Sequence, residues 1–160
     1  MNVSTGIDPK WLTVAIDLAT ANVEAGGGPF GAVVVGAGEL VSTGQNRVTQ
    51  NLDPTAHAEV MAIRAACQQV RSFSLAGHTL YSSCEPCPLC LSAALWARVD
   101  RVVFAADRHD AAVGGFDDRA FYELFDRPRE HWEVPVQQHR LHHSFLPFET
   151  WIGNSNRVQY

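Results

Sequence analysis

His57-Ala58-Glu59 and Pro86-Cys87-Pro88-Leu89-Cys90, separated by residues 60–85, are the two stretches around which the chain reads as organised. One imidazole and two thiols form the ligand set of a catalytic zinc whose fourth position stays open to water. Glu59 is not needed as a ligand, which frees it to move protons. Asp53-Pro54-Thr55 supplies caps for a helix over about 56–70, with Val60, Met61, Ile63, Ala66 and Cys67 on its apolar face. Pro86 and Pro88 suit a helix start and nowhere deeper, so a second helix is expected to run on through Ala97. In mid-helix His57 and Glu59, two apart, would diverge. In a first turn both side chains lean toward the helix N-terminus and reach a metal just off its end. Cys87 and Cys90, three apart, share a face at the next helix start, where exposed amides favour thiolate over thiol.

Outward from these two helix starts, residues 9–25 carry Trp11, Val14, Ala15, Leu18 and Ala21-Asn22 at helical spacing, with Asp8 as N-cap and Pro9 in the first turn. That helix stops at Gly26-Gly27-Gly28. Residues 30–35 read as a buried strand and 40–43 as its hairpin partner across Gly36-Ala37-Gly38. Further strands are expected at 79–83, 101–106 and 133–138, a helix at 117–125 and a short final helix at 147–153. Helices on both faces of a central mixed sheet of about five strands make a three-layer α/β/α sandwich. Gly26-Gly27-Gly28-Pro29-Phe30-Gly31 also satisfies G-x-G-x-x-G, the dinucleotide fingerprint. That fingerprint works only after a strand and at the opening of a helix. Here it follows a helix and leads into a strand, and Pro29 removes a donor. It is rejected.

A chain of 160 residues with 46% apolar and 18% charged residues fits one globular domain. Its net charge of −5, with no cluster of Lys or Arg, argues against a nucleic-acid partner. Residues 1–8 carry neither a basic start nor a long apolar stretch, so no secretion signal is expected. No apolar run approaches the ~20 residues of a membrane span. Three of the four cysteines fall within residues 84–90, too close for a disulfide framework, and a reducing cytoplasm is the expected setting.

The H-x-E and P-C-x-x-C pair resembles the signature of zinc deaminases, which implies that water made nucleophilic there would attack a ring carbon bearing an amino group. Glu59 would take the water proton, pass it to the ring nitrogen and then protonate the leaving amine as ammonia. The bland alternative is a structural zinc with Cys84 as fourth ligand, in which Glu59 has no role. His78, His109, His131, His139, His142 and His143 show no metal-ligand spacing of their own.

The H-x-E and P-C-x-x-C pair, together with Gly28-Pro29-Phe30-Gly31-Ala32-Val33, Gly44-Gln45-Asn46, residues 51–59, 80–90, Gly115-Phe116-Asp117-Asp118 and the terminal Tyr160, resembles the cytidine-deaminase-like zinc hydrolases. Within them it is similar to the small bacterial guanine deaminases. The likeness runs nearly end to end. It implies one zinc per subunit on His57, Cys87 and Cys90, with Glu59 and Asp118 as catalytic groups and Asp118 on the amino-group side. It also implies a nucleobase pocket with Asn46 hydrogen-bonding the purine, Phe30 stacking on it, and Ala58, Trp96 and Tyr160 completing the contacts. The family forms homodimers in which the C-terminal segment, here about residues 145–160, closes the neighbouring subunit's pocket. The implied reaction is guanine plus water giving xanthine plus ammonia.

Plainer roles exist for several of these residues. Asn46 could serve as a turn residue, Phe30 and Trp96 as core aromatics, and Asp117 or Asp118 as a helix cap. Deaminases of cytosine, guanosine or ammeline share the zinc chemistry, since one pocket side chain can switch which exocyclic groups are satisfied. A tRNA adenosine deaminase would need a basic face. A zinc-binding scaffold without catalysis would not need Glu59.

Overall fold

The computed structural model describes residues 6–160, so residues 1–5 of the stretch read for a secretion signal lie outside the described residues. The elements run α1 (Pro9–Glu24), β1 (Gly31–Gly36), β2 (Glu39–Gln45), α2 (Val48–Asn51), α3 (Ala58–Val70), β3 (His78–Cys84), α4 (Pro88–Trp96), β4 (Arg101–Ala106), α5 (Arg108–Val113), α6 (Asp118–Phe125) and α7 (Leu146–Gly153), with a 3₁₀ turn at Arg129–His131. They fall into two compact parts, one ending at Tyr122 and the other spanning Glu123–Tyr160.

In the first part the strands form one sheet in the order β2-β1-β3-β4. β1 runs antiparallel to both neighbours, while β3 and β4 are parallel and joined through α4. Alternation along β1 divides the core in two. Val33 and Val35, with Tyr81 and Val103, pack on Trp11, Leu12, Val14 and Leu18 of α1. Ala32 and Val34 pack on the opposite face against Ala58, Ala62 and Ile63 of α3 and Ala94 of α4. Helices on both faces of a mixed sheet give the expected three-layer sandwich.

Helix-to-sheet spacing depends on two glycines. A Cβ on Gly31 would run into the Ala15 carbonyl of α1, and one on Gly44 into the Ala58 carbonyl of α3. Each helix backbone therefore lies closer to the sheet than any larger residue permits. At the α1 end, Asp8 accepts a hydrogen bond from the Lys10 amide at 3.1 Å, as its N-cap role requires. Gly26 follows the helix in the left-handed region, at φ 86°.

Several expectations need correction. The sheet has four strands among the described residues, not about five. Residues 133–138 form no strand, because Pro135 sits at their centre without an N–H to donate. α3 begins at Ala58 rather than near 56, with His57 at the N-cap position. Asp53 instead closes its own turn, accepting from the Thr55 amide at 2.8 Å and hydroxyl at 2.7 Å. α2 and α5 were not anticipated; α5 is six residues long and starts from a capping box between Asp107 and Asp110.

In the second part no described residue is buried. Phe125 meets Trp132 edge-on at 5.3 Å, and Phe145 stacks on Phe148 at 5.6 Å. The boundary at Tyr122/Glu123 falls well before residue 145, where sequence placed the start of an exchangeable segment.

Replacing Gly31 by Ala is expected to push α1 off the sheet and lower stability by about 1–3 kcal/mol. Urea denaturation of the variant beside the wild type measures this.

Candidate active site

Two helix N-termini meet at one point. His57 is the N-cap of α3 and Cys87 the N-cap of α4. Neither side chain makes a capping hydrogen bond to its helix, and the two turn toward each other. The His57 Nδ1 lies 3.5 Å from the Cys87 Sγ and 3.3 Å from the Cys90 Sγ, and the two sulfurs are 3.6 Å apart. A tetrahedral zinc with normal Zn–S and Zn–N bonds sets ligand edges of about 3.8 Å between sulfurs and about 3.6 Å from sulfur to nitrogen. The trio therefore fits zinc. Cys84, the alternative fourth ligand, is not among them: it ends β3 and its Sγ donates to the Asp107 carbonyl at 3.5 Å. Burial pushes the Cys84 thiol up to about 11, which keeps it protonated.

The trio is also primed electrostatically. Contact with the Cys90 thiol, and then with His57, brings the Cys87 thiol down to about 4. The same contact and burial drive the Cys90 thiol up. His57 is raised, first by its hydrogen bond to Cys87. A cation bound by the trio would displace the protons these groups carry.

Glu59 lies one residue inside α3 and is almost entirely buried. Ser82 of β3 donates to its Oε1 at 3.2 Å, fixing the carboxylate beside the trio. Burial raises its pKa, which favours the protonated form. A cleft of about 500 Å³ opens in front of these groups, and Phe30, Asn46, His57, Glu59, Cys87 and Asp118 are all in its wall. Asp118, at the start of α6, is raised first by burial and then by the negative Cys87. Phe30 meets Phe116 edge-on at 4.8 Å, and this pair separates the cleft from an apolar groove of about 620 Å³ beside α1.

The remaining candidates lie elsewhere. Ala58 is fully buried in the core beneath the sheet. Trp96, at the end of α4, is exposed, with the Arg98 guanidinium 5.6 Å from its ring, because six helical residues carry it away from Cys90. Tyr160 belongs to the second part, where its ring meets Trp151 at 6.5 Å.

Sequence reasoning missed Asn22. It is completely buried, its Nδ2 donates to the Gly28 carbonyl at 2.8 Å and the Asn46 carbonyl at 2.9 Å, and its Oδ1 accepts from Arg47 at 2.7 Å. It thus ties α1 to the glycine turn and to Asn46, both in the cleft wall. The signal was an amide on the apolar face of an amphipathic helix. The glycines rejected as a dinucleotide loop form cleft wall instead, and a Cβ at Gly28 would come within 3.1 Å of the Asn46 amide.

This fold and this trio mark a class: residues 6–106 match the cytidine and deoxycytidylate deaminase zinc-binding region, and the chain belongs to that family of zinc-dependent hydrolytic deaminases. Its particular kinship is narrower. The chain is 47% identical over 151 residues to the guanine deaminase of Bacillus subtilis, covering 94% of this chain and 97% of that protein. The X-ray structure of guanine deaminase from Bacillus subtilis superposes with a TM-score of 0.93 at 46% identity, over 97% of this chain and 99% of that one. A tRNA-specific adenosine deaminase from Aquifex aeolicus is 34% identical, over 87% of this chain and 85% of that protein.

Cys90→Ser is expected to weaken zinc binding more than the ~10–100-fold typical of residues behind the ligands, read as zinc per chain after dialysis against a graded chelator. Asn22→Ala leaves buried polar groups unpaired and should cost about 1–3 kcal/mol, with a raised KM, measured by urea denaturation and steady-state kinetics.

Proposed function

We propose that this chain hydrolyses guanine to xanthine and ammonia with zinc held by His57, Cys87 and Cys90. The observation that carries the reading is Asp118, which the Gly115-Phe116-Asp117-Asp118 stretch brings into the same cleft as Glu59 and His57. The near full-length likeness to a guanine deaminase supports it. When bound, zinc supplies the Lewis acidity that makes water a usable nucleophile near neutral pH.

The protein's own residues do the rest. Glu59 accepts the first proton of the attacking water and gives it to the ring nitrogen, then takes the second from the new C–OH and hands it to the departing amine. Its buried position suits a carboxyl that must hold a proton between these transfers. Asp118 sits on the amino-group side and assists that departure. The C–NH2 bond breaks as the water oxygen takes its place on the carbon, so guanine and water leave as xanthine and ammonia. Phe30 offers a face for the purine, and its edge contact with Phe116 holds the ring in place. The amide of Asn46 reads the purine edge, while its Oδ1 accepts from the Val48 amide at 3.3 Å and is thereby oriented.

The working unit in this reading is a homodimer, with a C-terminal segment closing the neighbour's pocket through Tyr160. Two observations support it. Residues 123–160 bury nothing within their own chain although they carry Val134, Val136, Phe145, Leu146, Trp151 and Ile152. α4 is apolar nearly throughout, yet exposes Leu91, Leu95 and Trp96. The four free cysteines, three of them in or beside the site, favour the reducing cytoplasm as its setting and nucleobase catabolism as its role.

The test is ammonia release by zinc-loaded protein offered guanine, adenine, cytosine, guanosine, cytidine and ammeline. Turnover confined to guanine, with xanthine as product, is expected; inert guanine beside an active alternative overturns the substrate assignment. Glu59→Gln should keep full zinc content and lose at least about 10²-fold in kcat. Undiminished turnover in that variant would remove Glu59 from the proton path.

A further inference from the structure

We propose that Tyr122 is a positioning residue, the closing link of a ring of contacts through Glu85, Arg108 and Pro86 that holds Asp118 in register with the Cys87 turn. The inference rests on Asp118 acting beside Glu59 in deamination.

The ring can be followed atom by atom. Glu85 follows β3 directly, and its amide donates to the Ala106 carbonyl at 2.8 Å. Arg108, the first residue of α5, donates to the Glu85 Oε2 from its backbone amide and from Nε, both at 3.0 Å, while its Nη2 takes Oε1. This fork engages both carboxylate oxygens at once and fixes the guanidinium plane. The Tyr122 ring lies against that plane, 3.6 Å from the guanidinium carbon to the ring centroid. The Tyr122 hydroxyl then donates to the Pro86 carbonyl. Pro86 is bonded to Glu85 on one side and to Cys87 on the other, so the circuit closes on the peptide unit that delivers a metal ligand.

α6 needs such an anchor. No side chain of α6 is fully buried, Asp118 being half-buried, so core packing alone does not fix where Asp118 sits. Tyr122 lies one helical turn beyond Asp118 on the same face. Tying its hydroxyl to the residue before Cys87 sets the distance from the Asp118 carboxyl to the ligand turn. The Glu85–Arg108 pair is largely shielded from water, with side chains 15% and 30% exposed, so it resists screening better than a surface pair.

Tyr122→Phe keeps the ring and its stacking and removes only the O–H. The expected result is a zinc content equal to the wild type, a guanine KM within about two-fold, and a kcat lower by about ten- to a hundred-fold, as a misplaced catalytic group gives. Arg108→Lys, which keeps the charge but loses the fork, should show the same pattern and serves if the first variant folds poorly. Both are then combined with Asp118→Asn. If Tyr122 acts through Asp118, adding Tyr122→Phe to Asp118→Asn lowers kcat no further. Loss of zinc in Tyr122→Phe, an unchanged kcat, or an equal fall in both backgrounds would overturn the proposal. Full activity in Asp118→Asn alone would instead overturn the role given to Asp118, and the proposal with it.

Discussion

The structure depends on the approach of two helix N-termini, α3 and α4, to within hydrogen-bonding distance of each other's cap side chains. Two helix starts meeting end to end would repel through their dipoles and leave unpaired amides on both sides. Thiolate at the junction offsets that penalty. Both helices are placed by the sheet: α3 by its close packing over Gly44, α4 as the crossover from β3 to β4. The junction therefore cannot drift without moving a strand.

Around that junction the side chains of the cleft wall are held by different means. Glu59 is fixed by burial and by the Ser82 hydroxyl. Asn46 is fixed from behind by Asn22, which reaches from α1 across the edge of the sheet. The Phe30–Phe116 contact anchors the chain just before α6. The cleft wall comes from the segments that flank the strands, from α2, and from the starts of α3 and α6.

What the sequence disclosed depends on how far along the chain each signal reaches. The continuous apolar run of residues 30–35, the caps at Asp8 and Pro9, and the thiol spacing each act over one or two turns of chain, and each reads correctly. Asp53-Pro54-Thr55 misleads because an Asx turn and an N-cap use the same residue types; only the backbone path of residues 55–57 decides between them. Residues 133–138 look extended because valines flank a proline, but a strand also requires a partner. Asn22 and Arg108 stay hidden for a different reason: their partners lie 24 and 23 positions away in the chain. Trp96 ends α4 and is exposed in the single chain.

The family-wide region ends at residue 106, at the last residue of β4, while Phe116, Asp118 and Phe121 of the cleft wall come after it. The zinc trio and Glu59 thus lie within the family-wide stretch, whereas Phe116, Asp118 and Phe121 lie in the piece of chain that follows it. Divergence within such a lineage need not disturb the metal in order to change the compound accepted. Replacing the segment beyond β4 rewrites one wall while the water-activating half stays intact, which gives related proteins a short route from one amino-bearing ring to another.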